Sequence, residues 1–239
     1  LMRAVSFSNL PFIMIEIFKL QDNTHIRYEV IGKGQPLLLL HTFRNRLEYS
    51  YSIAKLLKKY YKLYILDLPG FGDSPINIKT KYSPDFFSEC MVQFIKHKNI
   101  KKLSIAGESI GGVLPIKIAH CIPERIKQIF LFNPYDYDTY FGEGVSRANL
   151  FAKFIIFNIS LPIAGSFFSS LENKFILKNI MKGGIVERKN LSNEYINLLC
   201  TSIKKKGYTY HFRNVLSFSK SWAATKKIYK EINVPTKLI

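Results

Sequence analysis

The stretch from Leu103 to Ala119, which reads LSIAGESIGGVLPIKIA, constrains the fold of this chain more than any other. Its first residues, Leu103 to Ala106, are apolar and predict a short buried strand, whereas the apolar residues after Gly112 recur at helical spacing. Ser109 lies at the break, within the G-x-S-x-G motif of residues 107–111. A strand that turns this sharply into a helix crowds its own backbone, so the residues two before and two after the apex must lack a Cβ. The spacing therefore predicts a strained turn that leaves the Ser109 hydroxyl standing clear at the end of the strand.

Short apolar runs alternate with amphipathic helical patterns over the first half of the chain. The runs predict strands at residues 15–20, 25–31, 37–40, 63–66, 103–106 and 126–132, and the first two of these read as a β-hairpin. Residues 47–60 are predicted to be helical, with Ile53, Leu56 and Leu57 on the apolar side, and Ser83 is predicted to cap a helix that begins at Pro84. This alternation predicts an α/β fold with a mostly parallel central sheet and flanking helices.

The alternation of predicted strands and helices ends after residue 134. Residues 135–220 are aromatic and helical in period, and they contain no convincing strand, which favours a helical cap or lid inserted over the strand ends. The predicted organisation is a leader or non-native extension at 1–13, the first part of the core at 14–134, the cap at 135–220, and a return to the core at 221–239. The last residues, from Val234, resemble the beginning of one more strand.

Charge and cysteine content exclude several classes of protein. The formal net charge of +18 comes mostly from lysines dispersed along the chain, without an arginine-rich stripe or zinc-ligand spacing. We therefore expect a solvated lysine surface and no nucleic-acid partner, and peripheral membrane contact stays open as an alternative. The three cysteines, Cys90, Cys121 and Cys200, are far apart and odd in number, so no disulfide framework or metal site is expected. Reduced thiols favour the cytoplasm, with an organelle or a membrane surface as alternatives.

Four pieces of the chain, taken together and in order, resemble the α/β-hydrolase superfamily, in its esterase-like branch with a single domain and a helical cap. They are residues 37–41, residues 67–74 (DLPGFGDS), residues 107–111 and residues 232–236 (INVPT). The resemblance runs over roughly residues 14 to 239, leaving out the cap. It implies the α/β-hydrolase fold and chemistry carried by a serine nucleophile, with no cofactor and no metal.

The resemblance also assigns roles to single residues. Ser109 matches the nucleophile, and the backbone N–H groups of Ile110 and Phe43 match the oxyanion hole. The family usually has glycine where this chain has Thr42, so we expect either a reshaped loop or a weaker oxyanion hole. The family's histidine at the position of His41 packs structurally beside the hole, and we expect the same here.

The acid and the histidine of the family's catalytic triad follow the serine in chain order, and both positions fall after Ile239. We therefore expect the chain to be truncated at its C-terminus and the fragment itself to be inactive. Of the histidines that follow Ser109, His120 lies about 16 Å away by helix rise, and His211 is expected to be a packed or solvated imidazole of the cap.

Some members of the family carry the acid after the preceding strand, which makes Asp136 or Asp138 an alternative. Asp67 and Asp73 lie in the loop after a strand, where a carboxylate accepts local N–H groups, and we expect both to be structural.

The resulting functional hypothesis is a serine hydrolase that acts on a small or medium apolar ester through an acyl-enzyme. An amide or a C–C bond is an alternative target, and the partner is a small-molecule apolar substrate. Aromatic residues of the cap support an apolar pocket: Phe151, Phe154, Phe157, Phe167 and Phe168. The rival hypothesis is a non-catalytic ligand-binding protein of the same fold, in which the serine is vestigial.

Overall fold

The computed structural model describes residues 15–21, 24–136, 150–161, 163–184 and 191–239. The expected leader at 1–13 and the alternative acid Asp138 lie outside the described residues. No helix among the described residues is long and apolar enough to cross a lipid bilayer.

A seven-stranded sheet forms the centre of the molecule, in the order β1-β2-β4-β3-β5-β6-β7. Its strands are β1 (Glu16–Lys19), β2 (His25–Ile31), β3 (Gln35–Leu40), β4 (Tyr61–Leu66), β5 (Leu103–Glu108), β6 (Ile126–Phe132) and β7 (Thr236–Leu238). The β1–β2 and β2–β4 pairs are antiparallel, whereas the pairs from β4 through β7 are parallel. The predicted hairpin, the mostly parallel sheet and the strand at the end of the sequence are therefore confirmed.

Nine α-helices are found in the described residues. They are α1 (Tyr51–Leu57), α2 (Pro84–His97), α3 (Ile110–Cys121), α4 (Leu150–Ile159), α5 (Gly165–Leu171), α6 (Lys174–Gly184), α7 (Asn193–Ile203), α8 (Tyr208–Ser217) and α9 (Ser219–Ala223). Short 3₁₀ segments occupy Leu47–Ser50, Pro123–Arg125 and Ala224–Glu231. Between residues 135 and 220, the part of the chain that the structure describes contains helices and no strand, as predicted.

The N-terminus of α2 is capped by Ser83, as predicted. Ser83 has extended backbone angles, and its hydroxyl oxygen accepts a hydrogen bond from the Phe86 N–H at 3.1 Å. Pro84 stands at the first helical turn, where a missing N–H costs nothing.

Residues 47–60 depart from the predicted single helix. They form a 3₁₀ turn, Leu47–Ser50, before α1 begins at Tyr51. Leu47 and Ala54 are buried, whereas Ile53 and Leu56 are 40 % and 66 % exposed, so the predicted apolar face was wrong for these two residues. Leu57, the third predicted residue, does pack against the core. The inward side carries Leu47, Ser50, Ala54 and Leu57, at the spacing of three and four residues that a regular helix gives. Two of these residues are small, so a search for large apolar side chains misses this face.

The sheet is buried on both faces because alternate residues of its central strands point to opposite sides. Leu38 and Leu40 of β3 join the core formed with α2 and α3, whereas Leu37 and Leu39 join the core beneath α1. The helices after residue 150 have an apolar core of their own, centred on Ile155, Ile159, Leu177, Ile196 and Leu199. Val215 packs into the sheet core and its neighbour Leu216 into the cap core, so α8 contacts both.

Candidate functional site

Ser109 occupies the apex between β5 and α3, with φ 56° and ψ −118°. A Cβ on Gly107 would lie 1.8 Å from the Gly111 carbonyl oxygen, and a Cβ on Gly111 would lie 2.5 Å from the His41 carbonyl oxygen. Only glycine fits at either position, because a side chain would meet backbone that cannot move aside. The crowded turn predicted from the spacing of residues 107–111 is confirmed.

The backbone of Ser109 is held from several sides. Its N–H donates to the Phe132 carbonyl at 3.0 Å, and its own carbonyl accepts the N–H groups of Gly112 at 2.9 Å, Val113 at 3.2 Å and Tyr135 at 3.0 Å. The Ser109 side chain is half-buried, and its hydroxyl has no hydrogen-bond partner among the residues that the structure describes. The fold therefore fixes the main chain of this serine and leaves its hydroxyl available.

Two backbone donors predicted for the oxyanion hole lie on adjoining segments. Ile110 is the first residue of α3, where the N–H groups of the opening turn have no helical acceptor. Phe43 lies in the loop after β3, and this loop touches the start of α3 where the His41 carbonyl faces Gly111. Within the described part of the chain, neither the Phe43 N–H nor the Ile110 N–H donates to a protein acceptor. Both groups are thus available to a ligand.

The loop after β3 takes its unusual backbone conformation at Arg44. Thr42 is not among the described residues with positive φ, whereas Arg44 has φ 60°. Threonine therefore does not carry the left-handed geometry that its Cβ would oppose, and the turn is made two residues later. Both outcomes expected from Thr42, a reshaped loop and a weaker oxyanion hole, stay predictions.

His41 is buried, and both of its ring nitrogens are engaged. Nε2 accepts the Leu68 N–H at 3.0 Å, and Nδ1 donates to the Thr42 carbonyl at 2.7 Å. Burial lowers the pKa of His41, which favours the neutral ring that this pair of bonds requires. The ring joins two loops at the edge of the sheet, in agreement with the expected structural role.

His211 is packed between the cap and the core, as expected. Its Nε2 donates to the Pro69 carbonyl at 3.1 Å, and its ring lies edge-on to Phe71 and Tyr82 at centroid distances of 4.4 and 4.3 Å. Burial lowers the pKa of His211 to about 3, so the ring is neutral at ordinary pH. His120 lies near the surface, 3.4 Å from a carboxylate oxygen of Glu231.

Asp67 behaves as the sequence predicted, and Asp73 does so only in part. Asp67 Oδ2 accepts the Asp73 N–H at 2.7 Å and the Arg27 Nε–H at 2.6 Å, while its Oδ1 accepts the Leu47 N–H at 2.7 Å. Asp73 instead uses its carboxylate on two guanidinium groups, those of Arg27 at 2.8 Å and Arg46 at 2.7 Å. Both side chains support the loops at this edge of the sheet.

Asp136, the alternative acid, accepts a hydrogen bond from the Tyr229 hydroxyl at 2.6 Å and lies 3.8 Å from the Lys226 ammonium. No local pattern indicates this contact, because the partner lies 93 residues further along the chain.

Two cationic side chains fasten the cap to the core, and sequence reasoning missed both. Arg46 Nη1 donates to the Leu198 carbonyl of α7 at 2.8 Å. Lys205, just after α7, donates to the carbonyl oxygens of Gly70 at 2.9 Å and Ser74 at 2.7 Å. A signal was present for Arg46, because the sequence Arg44-Asn45-Arg46 stands out in a chain whose basic residues are mostly lysine.

Arg44 makes a second contact with the cap. Its guanidinium forms a buried ion pair with Glu172 and lies 5.3 Å from the ring centroid of Phe212. The Tyr208 hydroxyl donates to the other Glu172 oxygen at 3.4 Å. The residue that follows the predicted oxyanion donor Phe43 is therefore anchored in the cap.

Glu108, the residue before Ser109, forms an isolated polar pair. Its Oε2 accepts the Tyr49 hydroxyl at 2.5 Å, and burial raises the pKa of the Glu108 carboxyl and that of the Tyr49 phenol. Tyr49 also packs against the cap core and lies 6.4 Å from the Tyr195 ring. A carboxylate beside the motif's serine was the only sequence signal for this pair.

Known proteins resemble the chain in both sequence and structure. Residues 35–151 match the family described as the alpha/beta hydrolase fold. The pimeloyl-[acyl-carrier protein] methyl ester esterase of Aeromonas salmonicida is 31 % identical over 104 residues, which cover 44 % of this chain and 39 % of that protein. Epoxide hydrolase 4 of Mus musculus is 27 % identical over 203 residues, covering 77 % of this chain and 55 % of that protein.

Solved structures extend the match over nearly the whole chain. Cfl2 from Burkholderia cenocepacia superposes with a TM-score of 0.78 at 15 % identity, covering 99 % of this chain and 81 % of its own. The epoxide hydrolase CorEH gives 0.75 at 16 % identity, covering 95 % and 81 %. This chain spans less than two thirds of the length of the two curated relatives named above. The chain therefore has the α/β-hydrolase fold, and its residues 35–151 match the family described by that name.

Proposed function

We propose that Ser109 is the nucleophile of a serine hydrolase that cleaves a small or medium apolar ester. The observation that carries the proposal is the apex geometry, in which a half-buried serine with φ 56° presents a hydroxyl that has no partner among the described residues. A strained backbone of this kind persists only where the surrounding structure imposes it, and such residues cluster at active sites. The relatives' names, an ester hydrolase among them, support the same reaction class.

The reaction would proceed in two balanced halves. Ser109 Oγ attacks the ester carbonyl while a base takes its proton, and the collapse of the tetrahedral intermediate expels the alcohol, which receives that proton. Water then attacks the acyl-serine and releases the acid. The N–H groups of Phe43 and Ile110 would hold the negative oxygen in both halves, and one such donor contributes about 3 kcal/mol.

No histidine of this chain is assigned as the base. The two ring nitrogens of His41 are bonded to the Thr42 carbonyl and the Leu68 N–H. The His211 ring donates to the Pro69 carbonyl. His120 is directed towards Glu231 on the surface. The proposal therefore concerns the whole protein and assigns neither the base nor the acid to residues 1–239.

Serine at the apex favours esters over epoxides, although both reactions occur in the names of relatives. Attack of a serine oxygen on an epoxide carbon would form an ether, which has no carbonyl for water to attack and would stay on the enzyme. Attack on an ester gives an acyl-serine, which water can release.

The surroundings of Phe43 support an apolar substrate. Its ring lies 5.8 Å from Phe71 of the core and 5.3 Å from Phe212 of the cap. A polar group bound next to this aromatic cluster would lose its hydration without a compensating partner. An apolar acyl or alcohol group carries no such penalty.

Hydrolysis of p-nitrophenyl butyrate by the whole protein tests the proposal. We expect turnover that falls by at least about a thousandfold in Ser109→Ala. Ser104→Ala is the matched control, because Ser104 is buried in the same strand, β5, and its hydroxyl has no partner among the described residues. Equal turnover in Ser109→Ala and wild type would place the chemistry elsewhere. Absence of turnover for a panel of apolar esters, with binding of the same esters retained, would favour the non-catalytic ligand-binding protein.

A further inference from the structure

Helix α4 is apolar on its outer face as well as on its inner one. Ile155, Ile156 and Ile159 are buried in the cap core. The opposite side carries four large apolar residues at helical spacing, and they are exposed: Leu150 by 83 %, Phe151 by 54 %, Phe154 by 55 % and Phe157 by 56 %. A helix that is hydrophobic all round is normally covered on every side.

The exposed surface continues from α4 onto α5. The Phe168 ring meets Phe154 edge-on at 5.6 Å and Phe167 at 5.4 Å, and Phe167 is itself 63 % exposed. We call the six residues Leu150, Phe151, Phe154, Phe157, Phe167 and Phe168 the cap apolar face. Single exposed apolar residues are ordinary, whereas a connected set of aromatic rings marks a surface that meets something.

The described segment that carries this surface is rich in positive charge. Glu172 is the only acidic side chain in the described part of residues 150–182, and it is buried against Arg44. The other charged residues there are lysines, namely Lys153, Lys174, Lys178 and Lys182. The chain as a whole carries a formal charge of +18. We call these four lysines the rim, and an occupant of the cap apolar face meets the positive charge of the segment that carries them.

We propose that the cap apolar face docks on the surface of a lipid bilayer that contains anionic lipids. Aromatic rings and aliphatic side chains would enter the boundary between headgroups and acyl chains, while the lysines of the rim stay with the headgroups. Each lysine near an anionic membrane adds attraction that salt weakens. A second copy of the chain fits the same face less well, because two bodies of charge +18 repel each other.

Flotation of the whole protein with vesicles tests the docking. Vesicles of phosphatidylcholine with about 30 % phosphatidylserine should carry the protein upward, and pure phosphatidylcholine should carry much less. About 0.5 M salt should release a large part of the bound protein, because it screens the attraction between the lysines and the anionic headgroups. No flotation with the anionic vesicles, or equal flotation with neutral ones, would overturn the proposal.

A double variant locates the contact. Phe151→Ser with Phe157→Ser should weaken partitioning at least about tenfold, since each phenyl ring would leave the interface. The matched control is Ile53→Ser with Leu56→Ser, two exposed apolar residues of α1 on the core, which should float as wild type does. Melting temperatures of both variants check that the fold is kept.

If the Phe variant floats as well as wild type, the cap apolar face is not the contact and the proposal fails. A dimer that forms through this face in the absence of lipid would also overturn it, in favour of a second copy. Ser109→Ala should float like wild type, so the outcome is independent of the proposed hydrolase activity.

Discussion

Gly107 and Gly111 meet across the apex of the turn, where a Cβ on Gly107 would lie 1.8 Å from the Gly111 carbonyl oxygen. Real Cβ atoms do not approach backbone this closely, so the turn exists only while position 107 lacks a side chain. The same crowded turn holds Ser109 at φ 56°. Stability and proposed chemistry thus depend on the same backbone geometry.

Gly107→Ala should lower the free energy of unfolding by about 3 kcal/mol or more, because one of the two backbone segments has to move. Urea denaturation measures the loss. Gly112→Ala is the milder comparison: its Cβ would meet backbone atoms of Gly107, Phe132 and Pro134 at 3.1 to 3.2 Å, so it should cost less than Gly107→Ala. Similar stabilities for the two variants would show that the turn is not as tight as described.

Ser109→Gly should be more stable than Ser109→Ala by about 1 kcal/mol, since glycine adopts a positive φ without strain and alanine does not. Thermal melts of the two variants measure the difference, and neither retains a hydroxyl that would complicate it. If alanine were the more stable of the two, Ser109 would not be strained.

His211 should make the protein sensitive to acid. Its pKa is lowered from 6.5 to about 3 in the folded protein. Between these two pH values, His211 is therefore protonated in the unfolded chain and neutral in the folded one. Stability contributed by the neutral ring is complete above pH 6.5 and is lost as the pH falls towards 3. Between about pH 6.5 and pH 4 the loss should reach about 3 kcal/mol.

The His211→Gln variant keeps a donor for the Pro69 carbonyl and removes the titration. Its unfolding free energy should change less with pH than that of wild type over this range. Parallel curves for wild type and His211→Gln would contradict the assignment of acid sensitivity to this buried ring.

Arg46→Met should cost about 3 to 5 kcal/mol, because it removes one of the two guanidinium groups paired with the largely buried Glu48. Hydrogen exchange in α7 should also accelerate, since Arg46 donates to the Leu198 carbonyl of that helix. Arg46→Lys should recover only part of the stability, because an ammonium cannot bridge Glu48, Asp73 and α7 together. Unchanged exchange in α7 would mean that Arg46 does not fasten the cap.

The sequence was informative where structure follows from neighbouring residues. The strained turn at Ser109, the helix N-cap at Ser83 and the strand Leu37–Leu40 each follow from a local pattern, and each is found. The apolar face of residues 47–60 was wrong at Ile53 and Leu56, because the inward side is lined in part by the small residues Ser50 and Ala54, which a pattern of large apolar residues does not reveal.

Contacts between distant residues could not be predicted. Arg44 and Glu172 are 128 positions apart in the sequence, and Arg46 and Leu198 are 152 positions apart. Nothing in either local sequence identifies the partner, because the pairing depends on how the cap sits on the sheet. For the same reason, the Tyr49–Glu108 pair beside the proposed nucleophile came only from the structure.

Labelling of the whole protein with a fluorophosphonate probe, followed by mass spectrometry of its peptides, tests the central claim most directly. The reagent reacts with an activated serine and forms a stable phosphonyl ester. We predict a single adduct on Ser109, which is absent in Ser109→Ala and present in Ser104→Ala. A folded whole protein that gains no adduct on Ser109 would contradict the assignment of Ser109 as a nucleophile.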